Sequence, residues 1–488
     1  MRAESKGIKV ISTLGVVLLG ALLAAIIGCG EDVSSPEPQT VSSQPTYYGR
    51  VAEVLSANCV SCHTKGGIAP FPLDSPQAAI PMAPAIAYAV KEGLMPPWPP
   101  GSDSPPFKNE RKLSPEERSL LVAWADGGAP LGEPSGLLKD SDGKSRPQEL
   151  KPDQVLVIDP PYSPDRSRQD DYRCFLLDPK LEQDTFVTSY RVRPHQTTLV
   201  HHALLLVIGP EVVAEAEARD GTEAGPGWMC FGGPQIGGGN AGSLDLLGFW
   251  VPGASGSDFP EGTGKLLKGG SHLVMQVHYN LAVPGSTGAD ASSVELLLAS
   301  PAAELKPIHE IPLAAPVEVL CPGLYPRNSN DPCNRDYALE RSELKHAAQG
   351  IHFLCGTRPE DYLKRDNADG RAQESRCDQQ LRIDALALGV TGHMHLRGSS
   401  IRIELNPNSP QVRTLLHIPD WDFEWQGQYW FQEPIPIKWG DKVRITCVYD
   451  NSGPIIGPDG SPLPPRYMTW GEGTTDEMCL GGLSFVRP

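Results

Sequence analysis

The sequence predicts a multidomain protein, a small all-α domain followed by antiparallel all-β sandwiches. Three observations carry that expectation. Gly and Pro number 50 and 49 among 488 residues; a fifth of the chain, against a usual ~12%, makes turns frequent and long helices few. The clear helical patterns precede residue 135, and beyond residue 156 the chain turns to short alternating segments between Gly, Pro, Asp and Asn. The length suits about three domains at ~150 residues each. An apolar fraction of 40% with 21% charged residues argues against disorder. A formal charge of −17 leaves little basic surface for nucleic acid, whose phosphates demand clustered Lys and Arg. The 11 cysteines are an odd number, so an exported chain must give at least one a special role.

Residues 1–9 carry Arg2, Lys6 and Lys9, and residues 10–28 are uncharged and mostly apolar. Such a segment is a signal peptide or a membrane anchor. Ile26-Ile27-Gly28-Cys29 resembles a bacterial lipobox, in which Cys29 receives diacylglycerol. Residues 1–28 are therefore expected to be a lipoprotein signal peptide, with an uncleaved anchor as the competing reading. Residues 29–46, polar and Pro/Ser-rich, read as a flexible tether. The expected location is the cell envelope, lipid-anchored on the periplasmic side or at the outer membrane surface. Gly30, with no Asp in that place, favours the outer membrane.

Cys59-Val60-Ser61-Cys62-His63 is the sharpest local signal. About 0.006 copies of such a pentapeptide are expected by chance in this composition. Two thiols one helical turn apart can add to both vinyl groups of a haem, and His63 then lies under the iron. A disulfide or half of a zinc site competes, but no second Cys pair has CxxC spacing. Residues 47–61 pattern as an amphipathic helix with Val51, Val54 and Leu55 on one side. Ser114-Pro115-Glu116-Glu117 is a capping box opening a second helix, with Leu120, Ala123 and Trp124 as its apolar stripe and Gly127-Gly128 as its stop. These features predict a small all-α cytochrome c domain over 47–135 holding one covalent haem c. Its sixth ligand is expected to be a thioether, Met95 in preference to Met82, because the prolines after Met95 favour an extended loop.

Residues 136–156 read as a linker. Strands are then expected in 271–281, 292–300, 398–405 and 441–450. Three histidine groups stand out: His201-His202, His278, and His393-Met394-His395. His-His and His-x-His pairs are each expected about 0.3 times by chance, so neither is informative alone. In a strand, however, His393 and His395 share one face at about 6.6 Å while Met394 points into a core. His201 and His202 would face opposite ways on a regular strand, and could meet one ion only if the backbone is irregular there. His278 shares its face with His272, Val274 and Gln276.

In order, VHH (200–202), MQVHYN (275–280), GHMH (392–395) and GTTDEMC (473–479), with DYRCF (171–175) before them, resemble the copper type II, ascorbate-dependent monooxygenases. That family includes peptidylglycine α-hydroxylating and dopamine β-monooxygenases, and the resemblance spans roughly residues 150–488. It implies two jelly-roll-like β-sandwich domains, 157–304 and 305–488, with one copper each. It assigns His201, His202 and His278 to an electron-supplying copper, and His393, His395 and Met478 to a copper that meets dioxygen. The chemistry is coherent: three imidazoles accept either copper oxidation state, while two imidazoles and a thioether favour soft Cu(I). The same resemblance implies Cys447–Cys479 and Cys174–Cys230 disulfides. Cys321, Cys333, Cys355 and Cys377 remain, in a stretch expected to be an extra loop region, with their pairing open.

The expected function is hydroxylation of a C–H bond in a small organic substrate by dioxygen. A one-electron donor, an ascorbate-like reductant or a redox protein, would act through the fused haem. The substrate itself is not legible. Thr391 stands where the peptide-amidating enzymes place a carboxylate-clamping arginine, Gly482 where they place a tyrosine and Leu480 where they place an asparagine. Peptide amidation is therefore not expected, and no catechol pocket is identifiable. The alternative is a non-catalytic haem and copper electron-transfer or copper-handling lipoprotein.

Overall fold

The computed structural model of the protein describes residues 44–64, 69–108, 110–133, 151–237, 245–251, 256–281, 287–323, 328–342, 344–363, 369–457 and 460–488. The predicted signal peptide, Cys29, most of the tether and most of the linker lie outside the described residues. The described chain is mostly β-sheet with few helices.

Residues 44–133 form a helical unit. Its longest helix, Pro115–Asp126, opens on the expected capping box: Glu117 N–H donates to Ser114 Oγ, and Ser114 N–H to the Glu117 carboxylate. The buried stripe is rotated from the expected one. Leu121 and Trp124 are buried, Leu120 is half-buried and Ala123 is exposed. Trp124 sets the face by donating from its indole Nε1 to Pro130 O at 3.2 Å, and residues three and four earlier share its side. Val51, Val54 and Leu55, from the first helical segment, pack into the same core with Ile86 and Val90 of helix Ala83–Lys91.

Two pairs of sheets follow. In the first, strands Asp170–Leu177, His272–Asn280, Val200–Ile208 and Asp245–Trp250 lie side by side with Trp228–Met229 at one edge. The opposing sheet runs Gln154–Val157, Ser293–Ala299, Thr185–Arg193, Thr263–Leu267 and Lys306–Pro307. Leu205, Met275, Val277, Val187 and Leu296 meet between them. This sandwich opens at Gln154, inside the expected linker. Gln154–Val157 is an edge strand with Val155 and Val157 largely exposed, so it lacks the apolar density of a central strand.

In the second pair, His309–Ala314, Leu480–Val486, Ala385–His393 and Gln428–Ile437 face Gln373–Gln380, Lys442–Tyr449, Gly398–Leu405 and Arg413–Ile418. Met394, Ile401, Ile403, Ile445 and Leu483 fill the space between. Four disulfides are present among the described residues, Cys174–Cys230, Cys321–Cys333, Cys355–Cys377 and Cys447–Cys479. The stretch expected to be loop carries helices Arg335–Arg341 and Lys345–Cys355. Asn334 caps the first by accepting from Asp336 and Tyr337 N–H, a short signal hidden in a Pro/Asn/Asp-rich composition.

The helical unit is seated on the second sandwich by residues 98–108. Phe107 stacks on Phe431 and Trp98 meets Tyr429 edge-on. Lys108 N–H donates to Trp430 O, and Gln432 N–H to Pro106 O. Asp103 pairs with both Arg402 and His417. The sandwiches are joined by Trp430 Nε1 donating to Ser257 Oγ and Tyr172 Oη donating to Glu472 O.

Candidate functional site

Strand pairing builds the first histidine group. Val200 pairs with Tyr279 and His202 with His278, so a register shift makes His201 the extra residue of a β-bulge. A bulge turns consecutive side chains toward one side, which is the irregular backbone the His-His pair required. His201 Nδ1 and His202 Nδ1 lie 3.2 Å apart, and His278 Nδ1 lies 3.4 Å from His202 Nδ1. An ion roughly 2.0–2.1 Å from two imidazole nitrogens at a tetrahedral angle holds them about 3.3–3.4 Å apart. The spacing therefore suits a metal without rearrangement.

The surrounding groups aim the lone pairs. His278 donates from Nε2 to Asp170 Oδ1 at 2.7 Å, leaving Nδ1 as the free acceptor. Thr474 Oγ1 donates to the same carboxylate oxygen, and Tyr172 stacks on the His278 ring at 4.2 Å. Burial pushes the His201 pKa down to about 3 and that of His202 well below its ordinary value, with His278 adding repulsion. Burial thus favours the neutral form of both imidazoles.

His393 and His395 lie at the end of strand Ala385–His393, their ring centroids 4.9 Å apart. His393 donates from Nδ1 to Gln426 Oε1 at 2.6 Å, and Gln426 is oriented by its own Nε2 donating to Phe423 O. His395 donates from Nδ1 to Asp476 O at 3.1 Å. Each therefore has Nε2 as its acceptor nitrogen, and burial lowers both pKa values. Met394 points away and is fully buried. Met478 is buried in the same sandwich, two residues before Leu480, the cross-strand partner of His393. Glu477 draws these pieces together, accepting from the backbone N–H groups of His395 and Arg397. Cys479, next to Met478, is bonded to Cys447. Arg397 spends its guanidinium on the carbonyls of Gly453, Leu463 and Pro464, so its role is structural.

Phe423 lies between the two groups. Its ring stacks on His201 at 5.1 Å and meets His395 at 5.7 Å. Beside it opens a cavity of ≈ 930 Å³ walled by Cys59, Cys62, His63, Met95, His201 and Phe423. Cys59 and Cys62 are the free cysteines among the described residues, and burial pushes the Cys59 thiol up to about 12. His63 donates from Nδ1 to Phe71 O at 3.0 Å, so its Nε2 is the acceptor. Met95 borders the cavity, whereas Met82 packs against the helical core.

Asp170, Tyr172, Phe423, Gln426 and Glu477 are the residues of this site that carried no assigned role in the sequence. Asp170 and Tyr172 pair in register with Asn280 and His278, a signal available once those two strands are aligned. Gln426 and Phe423 belong to no motif.

No protein-family model matches the chain, and no curated protein does. Solved structures align weakly. Allantoicase is 12% identical over 62% of this chain and 78% of that one, with a TM-score of 0.16. A Paenibacillus xanthan lyase is 11% identical over 66% of this chain and 23% of that one, also at 0.16. Alignments at these scores bear on neither the fold nor the function.

Proposed function

We propose that the chain is a copper-dependent monooxygenase that hydroxylates a C–H bond of a small organic substrate, with electrons entering through a covalent haem c. The observation that carries this reading is the shared cavity. It sets the Cys59/Cys62/His63 motif and Met95 against His201, one of three imidazoles spaced for a metal ion. The donor set fits copper, since two groups of imidazoles and a buried thioether suit it better than zinc, which takes Cys or carboxylate readily. The cavity fits a cofactor, within the ~300–1,000 Å³ usual for such sites.

Bound copper would supply one-electron chemistry and dioxygen activation, and a haem held by Cys59, Cys62, His63 and Met95 would supply a one-electron relay. The chain's own part is to hold both ligand sets oriented. Asp170 fixes the His278 tautomer, Gln426 that of His393, and the Asp476 carbonyl that of His395. On the sheet face carrying His393, Thr391 pairs with Gly482, and a Cβ at Gly482 would meet Thr391 Oγ1 at 3.1 Å and Glu310 Oε2 at 3.5 Å. A substrate carboxylate would meet a carboxyl group there in place of an arginine, which argues against peptide amidation. Export with Cys29 lipidation belongs to the same proposal, because four disulfides suit an oxidising compartment.

Two measurements test the reading. In anaerobic stopped-flow, reduced haem is expected to reoxidise when the copper sites are loaded with Cu(II); haem that stays reduced would refute the relay. Reductant-dependent dioxygen uptake with a metabolite panel should exceed that of His393→Ala. Uptake equal to that control with every substrate would leave a non-catalytic carrier. Gln426→Ala is expected to weaken copper at the His393 group about 10-fold, as read by competition with a chromophoric Cu(I) chelator.

A further inference from the structure

One short segment reaches both histidine groups and the cavity beside them. Trp421 donates from Nε1 to His395 O at 3.2 Å, and Gln426 accepts from His393. Phe423 reaches across to the first sandwich and stacks on His201 with an interplanar angle of 27°. Asp422, Phe423, Glu424 and Trp425 also wall the cavity that contains Cys59 and Cys62. The Phe423 ring thus contacts one imidazole of each ligand set, and the two sets come from different sandwiches.

We propose that Phe423 is a positioning residue shared by both sites, a latch that fixes the His201 group of one sandwich at a set distance from the His393/His395 group of the other. The physical basis is local. Gln426 holds the Phe423 carbonyl and Trp421 holds the His395 carbonyl, so the ring projects from a braced loop. A stacked aromatic pair contributes directional attraction that an aliphatic side chain of similar size lacks. Sites carried on separate domains otherwise move with the domains.

The proposal rests on the reading that both groups bind copper, and the experiment separates the two. Protein loaded with Cu(II) is examined by pulsed dipolar electron paramagnetic resonance, which reads the distance between the two ions. The parent is expected to give one narrow distribution. Phe423→Ala and Phe423→Leu are expected to broaden and lengthen it and to alter the Cu(II) signals of both sites, while Phe423→Tyr restores the parent pattern. An unchanged distribution in Phe423→Ala and Phe423→Leu would overturn the latch. Binding of a single copper by the parent would instead refute the two-copper reading. The latch is then judged without metal, by hydrogen exchange. Amide exchange in 199–203 and 474–479 should speed up at least tenfold in Phe423→Leu relative to the parent and to Phe423→Tyr, and unchanged exchange would overturn it.

Discussion

Replacing Cys59 and Cys62 together by Ser is expected to abolish covalent haem, leaving a chain with no haem absorbance and no mass adduct while all four disulfides persist. The two thiols are the free cysteines of the described chain, and each sits at the wall of the cavity. His63 and Met95 alone would have to retain the group, and axial bonds without thioethers exchange with solvent haem. The consequence reaches beyond the helical unit, because the emptied cavity is continuous with His201 and Phe423. A cofactor bound only by the folded state stabilises it by mass action, and a covalent one does so at every concentration. Residues 44–133 are therefore expected to unfold at lower temperature than in the parent, with the sandwiches persisting beyond them. Hydrogen exchange during a thermal ramp reads the two events separately. Copper should still bind the His201 group, since Asp170, Tyr172 and Thr474 all come from the sandwiches. Retention of haem in the double variant would exclude thioether attachment at this motif.

What was legible beforehand follows the range of each interaction. Period-two alternation predicts strands at 398–405 and 441–450, and the structure has Gly398–Leu405 and Lys442–Tyr449. That period also puts His393 and His395 together with Met394 inward, because it depends only on neighbouring residues. The His201-His202 pair marked a need for irregular backbone, but the bulge itself arises from pairing with a strand some 70 residues away in sequence, where no local pattern records it. Asp170 is less visible still. It meets His278 at a separation of 108 residues and Thr474 at 304. A lone Gln or Phe carries no periodic signal, so Gln426 and Phe423 emerge only once the loop is placed against both sandwiches. The rotated stripe of helix Pro115–Asp126 has a nearer origin, since Trp124 is held by Pro130, just past the helix end, where helical periodicity does not reach.

Glu477→Ala is expected to destabilise the copper-free protein by about 1–3 kcal/mol and to eliminate copper binding at His393, His395 and Met478, lowering stoichiometry from two to one. Glu477 is completely buried, and its carboxylate accepts from the backbone N–H groups of His395 and Arg397, with the Met478 N–H also directed to it. Truncation leaves these donors without an acceptor, at about 1–3 kcal/mol for each one that stays buried. Because the losses share one network they do not add, and a single lost acceptor sets the scale. The site fails for a geometric reason. The carboxylate ties the chain just past strand Ala385–His393 to the loop bearing Met478, and Cys447–Cys479 anchors only the far side of that loop. Glu477→Gln keeps one acceptor oxygen but turns an N–H₂ toward a backbone donor, so its stability should fall between parent and Ala. Urea unfolding of the apo-proteins reads the energy, and copper titration monitored by electron paramagnetic resonance reads the site. A Glu477→Ala protein of parental stability that still binds two coppers would show that the disulfide and strand pairing suffice to place Met478 against His393. The carboxylate, aimed as it is at the backbone of one ligand strand and one ligand loop, makes the opposite outcome the expected one.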